Sequence, residues 1–252
     1  MKLKNKTLSG FKVYYRNEKE LNIIFLEIFI LNDYKFTTRE KRPFIIDCGS
    51  HIGLSILYFK QIYPEAEILG FEPNPENFEI LKKNIRINKL KNVRLVNAAL
   101  SNKDGVAVLH TDINKNDSLT WGDTTSALMA GGNTESIPVD TFRLSKFINK
   151  EVDFLKIDIE GMESVVLKEL EPKLSLVREI VMEHHVPRKS EELNSLKDII
   201  NILRKNGFIV RSSWKDLIVA LVDLFLRITG QTSISIVRAV KLNRIAAKHQ
   251  IC

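Results

Sequence analysis

Five side chains that could transfer a proton, carboxylates and imidazoles, follow two apolar runs in the second half of the chain. Asp158 and Glu160 lie in FLKIDIEGMESVVL, and Glu183, His184 and His185 end REIVMEHH. A carboxylate or a neutral imidazole can accept a proton from a hydroxyl group, and histidine does so near neutral pH. Adjacent histidines on a strand point to opposite faces, so at most one reaches a shared site. We predict Asp158, Glu160 and His184 as catalytic residues, although Glu160 is equally suited to capping the next helix.

These residue types can also bind a divalent cation. Asp158, Glu183 and a histidine would supply two oxygen ligands and one nitrogen ligand. Their spacing in the sequence is not diagnostic of a metal site. The prediction therefore contains no metal, and a cation held by these three residues is the less favoured alternative.

A glycine-containing turn precedes these candidates, in the segment FIIDCGSHIG. An apolar run leads to Asp47, Gly49, Ser50 and His51, and a helix is predicted after Gly53. Glycine suits a sharp turn that lies against a ligand, and the N–H groups of a helix N-terminus can bind an anion. The spacing differs from the dinucleotide fingerprint GxGxxG, which makes a nicotinamide dehydrogenase the less favoured enzyme class.

An acidic residue follows the next apolar run, in GFEPNPENF. Glu72 comes 23 residues after Gly49, close to the spacing at which an acid binds ribose hydroxyls in nucleotide-binding α/β domains. Pro73 stiffens the turn, and Asn74 follows it. The alternative is that Glu72 caps the helix that begins at Pro75.

The end of the third apolar run carries Asn97 and Ala98, followed by Ala99 and Leu100. Small residues at this position leave room for an adenine ring, and the asparagine amide can bind its edge. The alternative is that Asn97 simply ends a strand, which asparagine often does. Together with the glycine turn and Glu72, these residues predict a nucleoside site.

The elements that must position these residues alternate between strands and helices. The predicted strands are 44–47, 67–71, 93–97, 106–110, 152–158, 178–183, 207–211 and 234–240. The predicted helices are 20–31, 53–63, 75–88, 162–170, 191–206 and 214–229. This alternation predicts an α/β fold, a mainly parallel sheet with helices on both faces. We predict a helical extension over 1–42 and one domain over 43–252.

Bulk properties agree with a globular α/β domain and narrow its setting. The chain has 252 residues, a net charge of +7 and two cysteines without a CxxC pair, which favours a reducing, cytoplasmic location. Basic residues are spread along the chain, so a nucleic-acid partner is not expected. The apolar stretch 217–228 is too short to span a membrane, and we expect the 214–229 helix to be buried or to form a homodimer.

With these motifs assembled, the chain resembles the FkbM-type methyltransferases. IIDCGSHIG, GFEPNP, NAALSN and FLKIDIEGMESVVL occur in the family's order, over roughly residues 43–184, and SIPVDTF precedes the last of them. The resemblance implies a Rossmann-like class I fold with a seven-stranded sheet and an antiparallel edge strand. It also implies S-adenosyl-L-methionine as cofactor and an acceptor hydroxyl on a sugar, glycan or small metabolite. Histidine at position 51 departs from the asparagine that is more usual in the family.

The resemblance and the residues together predict one cofactor site. Its predicted residues are Asp47, Gly49, Ser50, His51, Gly53, Glu72, Pro73, Asn74, Asn97 and Ala98. The polar segment 112–136 is expected to form either a lid over the acceptor or a plain surface loop. An RNA methyltransferase and a non-catalytic cofactor-binding domain remain the alternative functions.

Overall fold

A computed structural model of the protein describes residues 3–112, 124–125, 134–185, 194–211 and 234–241. The central sheet contains β3 (Phe44–Cys48), β4 (Glu67–Phe71), β5 (Val93–Val96), β9 (Phe154–Ile157), β10 (Glu179–His185), β11 (Phe208–Arg211) and β12 (Ile234–Lys241). Five helices are α1 (Glu18–Phe25), α2 (Leu54–Ile62), α3 (Pro75–Ile87), α4 (Glu163–Leu170) and α5 (Leu196–Lys205). The strand–helix alternation predicted from the sequence is confirmed.

The central sheet has the strand order β11-β12-β10-β9-β3-β4-β5. The strands from β10 to β5 pair in parallel, and β12 pairs antiparallel with both of its neighbours. The fold is therefore the predicted Rossmann-like α/β class with seven strands. One detail differs from the prediction, because the antiparallel strand is not at the edge. It lies between β10 and β11, and β11 forms that edge.

Helices cover both faces of this sheet, as predicted. On one face α4 and α5 pack on a core that includes Val166, Leu167 and Leu203, all fully buried. On the other face α2 and α3 pack on a second core that includes Phe59 and Leu81. Strands buried on both sides are uniformly apolar, which explains runs such as FII in β3 and FL in β9. Because the strands run in parallel, the loops at their carboxyl ends meet along one rim of the sheet.

The N-terminal segment is not purely helical. A hairpin of β1 (Lys4–Leu8) and β2 (Phe11–Tyr15) precedes α1, which continues as a turn of π-helix over Leu26–Ile30. The fully buried Asn84 on α3 attaches the hairpin. Its Oδ1 accepts the Tyr14 N–H at 2.7 Å, and its Nδ2 donates to the carbonyls of Tyr14 at 3.1 Å and Ile52 at 2.8 Å. The segment therefore packs into the same apolar core as the sheet.

A small second sheet lies beside the main one. It contains β6 (Ala99–Leu100), β7 (Gly105–Asp112) and β8 (Thr134–Phe142), with β8 in the centre. The sequence indicated only part of β7. Most of the proposed lid segment 112–136 and all of the 214–229 helix, with the homodimer suggested for it, lie outside the described residues. In the described part of the chain, no helix is both long and apolar enough to cross a lipid bilayer.

Candidate active site

The glycine turn after β3 lies directly against the end of β9. Gly49 has a φ of +85°, and a Cβ atom at this position would lie 1.8 Å from the backbone oxygen of Asp158. Only glycine fits there, because a side chain would meet a backbone atom that cannot move aside. The turn continues through His51, whose φ of +47° is also left-handed. The predicted turn is therefore present, and it brings the β3 and β9 tips together.

Glu72, at the tip of β4, faces this turn. Its Oε2 accepts the His51 N–H at 2.8 Å, and its Oε1 accepts the Asn74 N–H at 2.9 Å. The side chain is buried, with 5% exposure, yet it lines the cleft. Two backbone donors fix the orientation of the carboxylate, and each carboxylate oxygen can accept more than one hydrogen bond. The arrangement suits a rigid acceptor for the hydroxyls of a ribose.

Four of the predicted cofactor residues are not among the residues that line the cleft, and they stabilise the loops around it. Asn97 donates through Nδ2 to the carbonyls of Glu72 at 2.8 Å and Pro73 at 3.1 Å, so it ties β5 to the β4 loop. Asn74 caps α3, accepting the N–H groups of Glu76 and Asn77, which stabilises a helix by about 1 kcal/mol.

The other two supporting residues belong to the β3 turn and its helix. Asp47 is fully buried and accepts the Ser55 hydroxyl at 2.6 Å. Gly53 begins α2 with a φ of +96°, and a Cβ there would lie 2.6 Å from Leu81 Cδ1. The structure thus assigns these two residues to the shape of the turn. The remaining predicted residues line the cleft: Gly49, Ser50, His51, Glu72, Pro73 and Ala98.

Lys156 on β9 is a buried cation beneath the turn. Its side chain is 2% exposed, and Nζ lies 3.3 Å from Asp47 Oδ1 and 3.0 Å from Asp158 Oδ2. Nζ also donates to the Gly49 carbonyl oxygen at 2.8 Å. Burial opposes the charge, but the two carboxylates raise the pKa of Lys156 above its usual value. The sequence showed Lys156 only as part of a motif, and the structure makes it the link between turn and acids.

At the end of β10 the structure places His185, not His184, in the cleft. His184 is buried on the other side, where Nε2 lies 2.6 Å from the Asn194 carbonyl oxygen. His185 is 3% exposed and lines the cleft together with Glu183. Of the pair, His185 lines the cleft where the sequence analysis expected at most one histidine, and the choice of His184 is corrected. Side chains alternate along a strand, so the face that Glu183 uses is also that of His185.

Glu163, the first residue of α4, orients the His185 ring. His185 Nδ1 lies 2.9 Å from Glu163 Oε1, and the Gly161 N–H donates to both Glu163 oxygens at 3.1 Å. Asn194 Nδ2 donates to Oε2. A carboxylate accepts hydrogen bonds, so the His185 proton on this side is on Nδ1. The Nε2 atom then faces the cleft, 3.5 Å from Glu160 Oε2 and 4.0 Å from Asp158 Oδ1.

The N-terminal segment forms one wall of this cleft, which the sequence did not indicate. Glu27 and Ile28 of the π-helical turn line it, together with Tyr34. The Tyr34 hydroxyl donates to Glu183 Oε1. The His51 ring lies 3.5 Å from Glu20 of α1. The sequence predicted a helix over 20–31, but it did not indicate where this helix docks.

Acidic side chains are crowded in this cleft, and burial makes each of them harder to ionise. Burial and the nearby Glu183 carboxylate raise the pKa of Glu27 to about 8. Burial raises the pKa of Glu160 to about 8, with Asp158 adding to the rise and His185 opposing it. Burial and Asp158 raise the pKa of Glu183 to about 7. Burial disfavours the charge on His185, but Glu160 and Glu163 raise the pKa of this imidazole well above its usual value. The region therefore stabilises positive charge.

The two groups of residues open into one continuous cleft. Its volume is about 1180 Å³, counting the part that is open to solvent. The glycine turn, Glu72 and Ala98 line this cleft together with Asp158, Glu160, Glu183 and His185. A cleft at the carboxyl ends of parallel strands is the usual ligand site of open α/β sheets. Glu160 has a φ of +51°, and such left-handed backbone is concentrated at functional sites.

Comparison with known proteins gives a consistent family. The model of the "Methyltransferase FkbM domain" matches residues 47–210. Methyltransferase sdnD of Sordaria araneosa is 32% identical over 205 residues, which cover 69% of this chain and 79% of that protein. Methyltransferase 1 of Beauveria bassiana is 30% identical over 193 residues, covering 69% of this chain and 78% of the relative.

Two further comparisons are more distant. The 2-O-methyltransferase NoeI of Sinorhizobium fredii is 26% identical over 175 residues, covering 64% of this chain and 71% of NoeI. A crystal structure of Methyltransferase FkbM from Methylobacillus flagellatus superposes with a TM-score of 0.49 at 16% identity. That superposition covers 70% of this chain and 41% of the other.

Proposed function

The chain belongs to the FkbM methyltransferase domain family, and we propose that it uses S-adenosyl-L-methionine to methylate a hydroxyl group of a sugar, glycan or small metabolite. The observation that carries the proposal is the Glu72 carboxylate, held by two backbone N–H groups beside the glycine turn. Ala98, which lines the same cleft, offers the small surface that a flat base needs. The cleft also has room for a nucleoside of this size.

The residues present fit the cofactor piece by piece. Glu72 would hold the ribose, with Ala98 and Pro73 beside the adenine. The turn residues Gly49 and Ser50 would lie against the amino-acid part, since Gly49 lets the backbone approach closely. When bound, S-adenosyl-L-methionine supplies an electrophilic methyl group on a positively charged sulfur. The carboxylates that line the same cleft would stabilise that positive charge.

The chain's own contribution to the reaction is orientation and proton removal. Aligning the acceptor oxygen with the methyl group can lower a barrier by roughly 7–11 kcal/mol at best. An aliphatic hydroxyl is a poor nucleophile, and a positioned base typically accelerates such steps by ~10²–10⁴-fold. Asp158, Glu160 and His185 face the place where the acceptor would lie. The hydroxyl class is supported by these acid–base side chains and by the similarity to NoeI, which is a 2-O-methyltransferase.

Calorimetric titration with S-adenosylhomocysteine tests the cofactor assignment. We expect micromolar binding by the wild-type protein and at least tenfold weaker binding by Glu72→Ala, a loss of about 1.4 kcal/mol or more. Glu79→Ala is the matched control, because Glu79 is an exposed acid of α3 paired with Lys82. The control should bind like the wild type. Unchanged affinity in Glu72→Ala would remove Glu72 from the ribose role, and a wild-type protein that does not bind would refute the cofactor.

The acceptor class needs a separate measurement. Transfer of a labelled methyl group to hydroxylated sugars and small metabolites should be compared with transfer to RNA at several salt concentrations. We expect transfer to the hydroxylated compounds. Methylation of RNA alone, with binding that falls steeply as salt rises, would refute the acceptor class while leaving the methyl donor in place.

A further inference from the structure

Three metal-ligating side chains converge at the acceptor end of the cleft. Asp158 follows β9, Glu183 and His185 end β10, and these two strands are neighbours paired in parallel. One ligand atom from each of the three lies within 4.8 Å of the other two. In an octahedral ion with bonds of about 2.1 Å, ligand atoms are about 3.0–4.2 Å apart. Side-chain movements on the order of 1 Å would therefore close the set around an ion.

The buried His185 ring is aimed into this set through Nε2. The side chain is 3% exposed, and Nε2 lies 3.5 Å from Glu160 Oε2 and 4.0 Å from Asp158 Oδ1. Its Nδ1 side is fixed by Glu163, which is itself held by the Gly161 N–H and by Asn194. Histidine ligands of metal ions characteristically donate their other N–H to a carboxylate, which fixes the ring.

The Asp158 and Glu183 carboxylates each use one oxygen to contact a neighbouring side chain outside the set. Lys156 Nζ lies 3.0 Å from Asp158 Oδ2, and the Tyr34 hydroxyl donates to Glu183 Oε1. Asp158 Oδ1 points the other way, to within 4.0 Å of His185 Nε2. Each of the three candidate ligands thus has an outer partner, and outer partners of this kind are a regular part of metal sites.

We propose that Asp158, Glu183 and His185 bind a divalent cation, Mg²⁺ or Mn²⁺, that holds the acceptor hydroxyl. Two oxygen ligands and one imidazole suit these hard ions. Zinc is less suited, because structural zinc sites contain more nitrogen or sulfur ligands. The ion also supplies positive charge beside the Asp158 and Glu183 carboxylates. This inference rests on the proposed function, since it concerns the acceptor of the same reaction.

The ion gives each group a defined part in the transfer. It binds the acceptor oxygen, withdraws electron density and makes the hydroxyl proton easier to remove. That proton passes to the Glu160 carboxylate, which lies 3.5 Å from His185 Nε2 and lines the same cleft. The acceptor oxygen forms a bond to the methyl carbon, and the carbon–sulfur bond breaks with its electron pair left on sulfur. The products are a methyl ether and a neutral thioether.

Titration of chelator-treated protein with Mn²⁺ tests the site without any turnover. Electron paramagnetic resonance measures the concentration of free Mn²⁺ during the titration. We expect the protein to bind Mn²⁺ at one saturable site, and Mg²⁺ should compete for this site. We expect Glu183→Gln and Asp158→Asn each to weaken Mn²⁺ binding by at least about tenfold, as expected for loss of a ligand. Glu27→Gln is the matched control, because it makes the same change in the same cleft outside the three ligands. It should change affinity by less than about threefold.

S-adenosylhomocysteine binding in the presence of chelator separates this inference from the proposed function. It also reports folding, and at least one of the two ligand variants should retain it while losing Mn²⁺. Absence of saturable Mn²⁺ binding to a protein that still binds S-adenosylhomocysteine would overturn the metal site and leave the methyltransferase proposal standing. Equal weakening by Glu27→Gln would also overturn it, because the effect would then be general charge. Mn²⁺ binding without S-adenosylhomocysteine binding would instead refute the proposed function.

Discussion

Replacing Lys156 by methionine should sharply destabilise the protein, because it removes a buried cation and keeps the volume. Lys156 Nζ lies 3.3 Å from Asp47 Oδ1 and 3.0 Å from Asp158 Oδ2. The Asp47 side chain is fully buried, so it would keep a charge with no cation beside it. Breaking a buried ion pair from one side typically destabilises a protein by about 3–5 kcal/mol. At roughly 2–4 °C per kcal/mol for a chain of this size, the melting temperature should fall by about 6–20 °C.

Urea unfolding followed by circular dichroism measures this loss, and Lys168→Met provides the control. Lys168 pairs with Asp198 at 2.9 Å, but both side chains are about half exposed. Surface pairs of this kind contribute about 0–1 kcal/mol. A loss below about 1 kcal/mol in Lys156→Met, or an equal loss in both variants, would refute the argument that the Lys156 charge stabilises the turn.

Two further substitutions test the turn and the hairpin. Gly49→Ala places a Cβ against the Asp158 backbone oxygen, so we expect at least tenfold weaker S-adenosylhomocysteine binding by calorimetry, whereas Gly10→Ala, which meets no atom within 4 Å, should bind normally. Wild-type affinity in Gly49→Ala would contradict the close approach. Asn84→Ala removes one buried and two part-buried hydrogen bonds and should lower the free energy of unfolding in urea by about 2–4 kcal/mol. Asn88→Ala, whose two bonds to Lys12 are exposed, should lose less than about 1 kcal/mol, and equal losses would contradict the assigned role of Asn84.

Local patterns made much of the fold predictable. Short apolar runs alternating with helical segments fixed the α/β class, because strands buried on both faces read as continuous apolar stretches. The position of β12 was not predictable in the same way. The direction and the position of a strand in a sheet are defined by the strands with which it pairs. β12 pairs with β10 and β11, which come earlier in the chain. The N-terminal hairpin was missed although its strand pairing is local, and its attachment to Asn84 joins residues 70 positions apart.

The cofactor end of the site was more predictable than the acceptor end. Gly49 and Glu72 follow consecutive strands, so the order of the chain already places them at one rim of the sheet. Asn97 and Asn74 were read as ligand contacts, but their amides are used by neighbouring backbone. A polar side chain at a strand end can bind a ligand or stabilise a loop, and the sequence does not distinguish these two roles. Only the positions of its hydrogen-bond partners do.

For this protein, the sequence by itself determined the strand–helix order, the glycine turn and the acid that follows it, because each depends on local backbone preference and chain order. Only the tertiary structure decided that His185 and not His184 enters the cleft, since β10 is buried on both faces and local apolarity does not distinguish them. It also decided that Tyr34 of the N-terminal segment contacts Glu183, 149 residues later. Contacts at such separations depend on how the whole chain packs.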